Sequence, residues 1–163
     1  MQKREKSGQL QLSFGMIFSI IIIVATIAVA FYFITKVFSA QECTKIELFK
    51  RDLQDSINKV WRSPFGQEPF TSALPSGVTK VCIGDVAMAG TVYTKVLESL
   101  DPYLDPNENL FFYPPKEACK GSLASTKLSN LKPNFFSCFD VVKGKASFKI
   151  SKGSNETLVS IQK

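Results

Sequence analysis

Apolar residues run almost without interruption from Leu12 to Ile34, and no charged side chain occurs between Lys6 and Lys36. As a helix this run would be about 35 Å long, against a hydrocarbon core of about 30 Å. Many of its residues are β-branched, yet only a helix satisfies its own backbone hydrogen bonds inside lipid, so the pattern predicts a membrane-spanning helix. Ser39 to Gln41 contains no Pro or Gly to stop it. From Glu42 the apolar residues fall at Ile46, Phe49, Leu53, Ile57 and Val60, the alternating spacing of one helical face. Lys45, Lys50, Arg51, Gln54, Asp55, Asn58 and Lys59 take the other faces, with Glu47 and Arg51, and Asp55 and Lys59, at ion-pair spacing. Ser63-Pro64-Phe65-Gly66 ends this amphipathic stem, with Trp61 as an expected core anchor at its base.

Beyond the stem the period shortens. Residues 67–77 hold Pro69, Pro75 and Gly77 and read as a loop, after which residues 78–83 read as a strand. Val92 to Leu100 fits a short helix or a strand, and Asp101-Pro102, Asp105-Pro106 and Asn107 mark an exposed connection. Leu110 to Tyr113 reads as a short strand stopped by Pro114-Pro115. Residues 135–142, 146–150 and 157–161 are three strand-like runs joined at Gly144 and Gly153, which predicts an antiparallel meander with one buried face. The stem stripe is the apolar surface expected to cover that face. The predicted class is α+β: a long N-terminal helix, half transmembrane and half amphipathic, followed by a small antiparallel β-sheet head.

Charge orients the span. Lys3, Arg4 and Lys6 precede it against one Glu5, while Lys36 stands alone on the far side, so the positive-inside rule places the N-terminus in the cytoplasm. The expected organisation is a cytoplasmic basic tail at 1–8, a transmembrane helix at 9–38, a helical stem at 39–62 and an extracellular head at 63–163. The competing reading is a cleaved secretory signal ending at Val37-Phe38-Ser39, but such signals have apolar regions of only about 7 to 15 residues. Of the formal net charge of +6, two units lie in residues 1–8 and one on Lys36, leaving +3 for the rest. That is no nucleic-acid footprint, because no dense Lys/Arg run with interleaved aromatics occurs. The remaining 120 or so residues suit one domain of ordinary size.

All four cysteines, Cys43, Cys82, Cys119 and Cys138, follow the span. An even count in an oxidising compartment reads as two disulfides, with three connectivities open. Cys82 and Cys138 both sit in strand-like apolar runs, so a bridge between neighbouring strands pairs them and leaves Cys43 for Cys119. Zinc is disfavoured, since no C-x-x-C spacing and no histidine is present. The absence of histidine also removes Ser-His-Asp and Cys-His constellations, and no phosphate-cradling glycine loop occurs, so neither an enzyme nor a cofactor is expected. Asp101, Asp105 and Glu108 form an acidic turn without the glycine or spacing of a calcium loop. Asn155-Glu156-Thr157 is the one N-x-[ST] triplet, in a turn, and makes Asn155 a candidate glycosylation acceptor.

Lys6-Ser7-Gly8-Gln9-Leu10 before a long apolar helix resembles the leader of archaeal type IV pilin-like proteins. That resemblance implies processing between Gly8 and Gln9, a helix apolar in its first half and amphipathic in its second, and a β-rich head. The acidic residue usual five places into the mature chain corresponds here to Ser13. The stretch Gln9 to Ile20 is also similar to small archaeal single-pass surface proteins with this anchor, a match that implies no activity. The expected role is a single-pass, membrane-anchored cell-surface protein with a structural or interaction function. The alternative is a pilin-like subunit processed before Gln9 and assembled into an extracellular filament. Its partners would be the lipid bilayer, other membrane or surface proteins, and other copies through the apolar helix.

Overall fold

A computed structural model describes residues 14–133 and 135–162. The expected basic tail, the Gly8 and Gln9 processing site and the Ser13 position lie outside the described residues. Helix α1 (Phe14–Arg62) is followed by strands β1 (Gly66–Ala73) and β2 (Lys80–Gly84), helix α2 (Thr94–Leu100), and strands β3 (Leu110–Tyr113), β4 (Ser125–Thr126), β5 (Phe136–Val142), β6 (Lys145–Lys152) and β7 (Ser160–Gln162). This is the α+β arrangement of a long N-terminal helix and a small antiparallel sheet. The chain divides into two compact units, residues 1–38 and 39–163. The stem therefore belongs with the head rather than forming a separate piece.

Within the second unit the stem stripe is the floor of the core. Ile46, Phe49, Leu53 and Ile57 are fully buried and Val60 nearly so, and burying each such side chain stabilises by about 1.5–3 kcal/mol. Phe49 lies edge-on to Phe70 of β1 at 5.5 Å and to Phe112 of β3 at 5.7 Å between ring centroids. The sheet runs β1-β6-β5-β2-β3-β4. Alternation along its strands sends Val81, Ile83, Leu110 and Phe112 into the core with the stem, and Cys82 and Phe111 into a second apolar cluster with Val96 and Leu100 of α2. The β2–β5 region is thus covered on both faces. The outer face of β6 is wet, carrying exposed Lys145, Ser147 and Lys149.

Four expectations are corrected. Residues 67–77 are not a loop throughout: β1 pairs with β6 from Gly66↔Lys152 to Ala73↔Lys145. Pro69 is accommodated because β1 ends the strand order, where a missing N–H is tolerated. The last three strands are not a simple meander. β5 pairs with β6 only at Val141↔Ala146 and Val142↔Lys145, then leaves to pair with β2. The edge of β6 so vacated is taken by β7 at Lys149 to Ser151, while β1 occupies the opposite edge throughout. The stem's ion pairs are not the i,i+4 pairs its spacing offers: Lys50 meets Glu47 at 3.3 Å, Arg51 meets Asp52 at 3.3 Å, and Lys59 turns to Glu68 of β1 at 2.8 Å. Trp61 is no core residue. It is 39% exposed and donates its indole N–H to the Thr157 carbonyl at 3.0 Å, which ties the helix end to the β6–β7 connection.

Candidate functional site

In the first unit every residue from 15 to 37 is exposed, including Met16, Phe18, four consecutive isoleucines at 20–23, Phe31 and Phe33. Among the described residues this is the one helix long and apolar enough to cross a membrane. Its serine and threonine side chains fold back on the helix. Ser19 Oγ donates to the Gly15 carbonyl at 2.8 Å, Thr26 Oγ1 to Ile23 at 2.8 Å and Thr35 Oγ1 to Tyr32 at 2.9 Å. Each hydroxyl proton is thereby satisfied without water, the condition a hydrocarbon environment imposes. Lys36 then ends the uncharged stretch with its ammonium 5.5 Å from the Tyr32 ring centroid. An aromatic and a cation together suit the depth where hydrocarbon meets headgroups.

The cysteines are joined as Cys43–Cys119 and Cys82–Cys138, and no free cysteine remains among the described residues. Cys82 and Cys138 face each other in register on β2 and β5, so strand pairing alone brings them together. Cys119 belongs to a tight turn in which it and Lys120 both take positive φ. That turn bends the chain back to Cys43 near the start of the stem. The acidic turn is open to solvent. Asp101 and Asp105 are exposed, Asp105 Oδ1 accepts the Asn107 N–H at 2.8 Å, and among the described residues no group of three or more His, Cys, Asp or Glu is placed to hold a metal.

The Asn155 triplet lies in the β6–β7 connection. Glu156 N–H donates to the Gly153 carbonyl at 3.1 Å, and Gly153 N–H donates to Glu156 Oε2 at 3.1 Å, closing a turn with Ser154 and Asn155 at its tip. Lys132 forms an ion pair with Glu156. The hydrogen bond from Lys132 and then that from Gly153 N–H hold the Glu156 carboxyl below its ordinary value of 4.5. A shallow open groove borders the turn, lined by the exposed ring of Phe65 together with Gln67, Lys132, Ser151, Lys152 and Ser160. Sequence reasoning did not point to Lys132 or Trp61 as supports of this turn, because they are 24 and 96 residues from their partners. No local signal links them.

No protein-family model, no curated protein and no solved structure matches this chain. The class defined by fold and surface is that of a chain with one helix fit to cross a membrane and a disulfide-stapled α+β domain.

Proposed function

We propose that this is a single-pass, membrane-anchored cell-surface protein, with its N-terminus in the cytoplasm and residues 39–163 outside, serving a structural or interaction role. The observation that carries the reading is the helix at 15–37, exposed throughout and uncharged up to Lys36, with its Ser19, Thr26 and Thr35 hydroxyls bonded to its own backbone. Leaving such a surface in water would be costly at roughly 25 cal/mol per Å² of apolar area. Two disulfides support the external placement of the second unit, since reducing cytosol does not sustain them. Lys3, Arg4 and Lys6 supply the orientation. The test is alkaline extraction of membranes followed by protease added to intact cells. The protein should stay with the lipid pellet and lose its C-terminal domain to external protease. Digestion only after the cells are broken would reverse the orientation.

The second reading is a pilin-like subunit that leaves the bilayer after cleavage between Gly8 and Gln9. What favours it is a helix that is wholly exposed over 15–37 and then carries the buried stripe Ile46 to Val60 beneath an antiparallel sheet. The N-terminal residue of the native protein separates the two. A chain beginning at Gln9 and recovered from sheared extracellular filaments favours the subunit, whereas one retaining Met1 in the membrane favours the anchor.

A further inference from the structure

We infer that Asn155 is an N-glycosylation site, with the substrate a glycan carried on a lipid-linked phosphate on the outer side of the membrane. The inference rests on the external placement of residues 39–163 proposed above. Of the asparagines the structure describes, Asn58, Asn107, Asn109 and Asn130 all use their side-chain amides in hydrogen bonds that hold the fold. Asn155 does not. It is exposed at the tip of the Gly153–Glu156 turn, and its amide has no hydrogen-bond partner among the described residues. An asparagine that serves only to make a turn commonly folds its side chain onto the backbone two residues on, as Asp105 does here toward Asn107.

The rest of the triplet is arranged around that free amide. Glu156 is used by the turn itself, through Gly153 N–H and the ion pair with Lys132. The Thr157 carbonyl is held by the Trp61 indole at 3.0 Å. The Thr157 hydroxyl is exposed and, like the Asn155 amide, has no partner among the described residues. The two side chains that define the acceptor motif are therefore the two left open, while the residue between them anchors the loop. The open groove beside Ser154 and Glu156 leaves room for an attached chain. In the transfer, Asn155 Nδ2 bonds to the anomeric carbon of the first sugar and gives its displaced proton to solvent water. The bond from that carbon to the phosphate oxygen breaks, and the lipid phosphate leaves with the electron pair.

The experiment is trypsin mapping of the protein purified from the membranes of the cells that make it, reading the peptide Gly153–Lys163, which is independent of any cleavage at the N-terminus. The peptide should be heavier than its sequence mass by one or more sugar residues. Asn155→Gln and Thr157→Ala should each return it to its sequence mass, and Thr157→Ser should keep the addition. An unmodified peptide from a protein whose C-terminal domain is cut by external protease overturns this inference and leaves the anchor reading standing. An unmodified peptide from a domain that external protease cannot reach overturns both.

Discussion

Gly84 ends β2 with φ at +125°, and a Cβ built there would lie 1.9 Å from the Phe135 carbonyl oxygen. The obstruction is backbone, which cannot swing aside as a side chain would. Gly84→Ala should therefore cost about 2–3 kcal/mol by combining a strained dihedral with a displaced strand, seen as a lower denaturation midpoint followed by Trp61 fluorescence in detergent. Gly90→Ala, where the added carbon would meet nothing within 4 Å, is the matched control. At Glu156 the effect is one of pH. Its carboxyl is held below the ordinary 4.5 by Lys132 and the Gly153 N–H, so its contribution to the turn is fully present above the unfolded value and is lost as pH falls through the lower folded one. The protection of the Gly153 amide against hydrogen exchange, relative to its intrinsic rate at each pH, should fall across that acid window. Glu156→Gln should abolish the pH dependence.

At the scale of elements, what joins the stem to the head is a buried stripe and one covalent link, Cys43–Cys119, while Cys82–Cys138 staples β2 to β5 within the head. Cys43–Cys119 spans a sequence separation of 76 and Cys82–Cys138 one of 56, and the chain-entropy account gives each about 4 kcal/mol through restriction of the unfolded chain. Non-reducing peptide mapping should recover these two pairs. Four alkylatable thiols in the native protein would sink both. The double variant Cys43→Ala with Cys119→Ala should lower stability by a few kcal/mol while leaving the β2–β5 register intact, because that register also rests on a ladder from Lys80↔Asp140 to Gly84↔Phe136.

For the whole molecule the deciding quantity is the affinity of residues 14–38 for lipid. Val24 lies in the middle of the exposed apolar run and is 61% exposed. Arginine near the centre of a span costs about 2.5–3.5 kcal/mol on insertion scales, so Val24→Arg should move a large fraction of the protein from the carbonate-resistant pellet to the supernatant. Val24→Leu should not. Val24 lies outside the unit that holds both disulfides, so disulfide mapping of the released protein should be unchanged.

Local pattern was enough for some of this. The uncharged run, the spacing of Ile46, Phe49, Leu53, Ile57 and Val60, and the stop at Ser63-Pro64 each concern one element and its own environment, and periodicity reports environment directly. The Cys82–Cys138 pairing was legible for the same reason, since both residues sit in strands that needed only to be neighbours. Tertiary structure alone decided which elements became partners. Pro69 looked like a loop residue because its missing N–H is harmless only on a sheet edge, and nothing near it in sequence says where the edge falls. β7 joined the same side of β6 as β5 because β5 turns away to β2, a choice made by residues far from both. The support of the Asn155 turn by Lys132 and Trp61 belongs with these. The triplet itself is written in three consecutive residues, but the contacts that hold it open are set by packing between distant segments, and a hydrogen bond across such a separation leaves no mark on the local pattern of either.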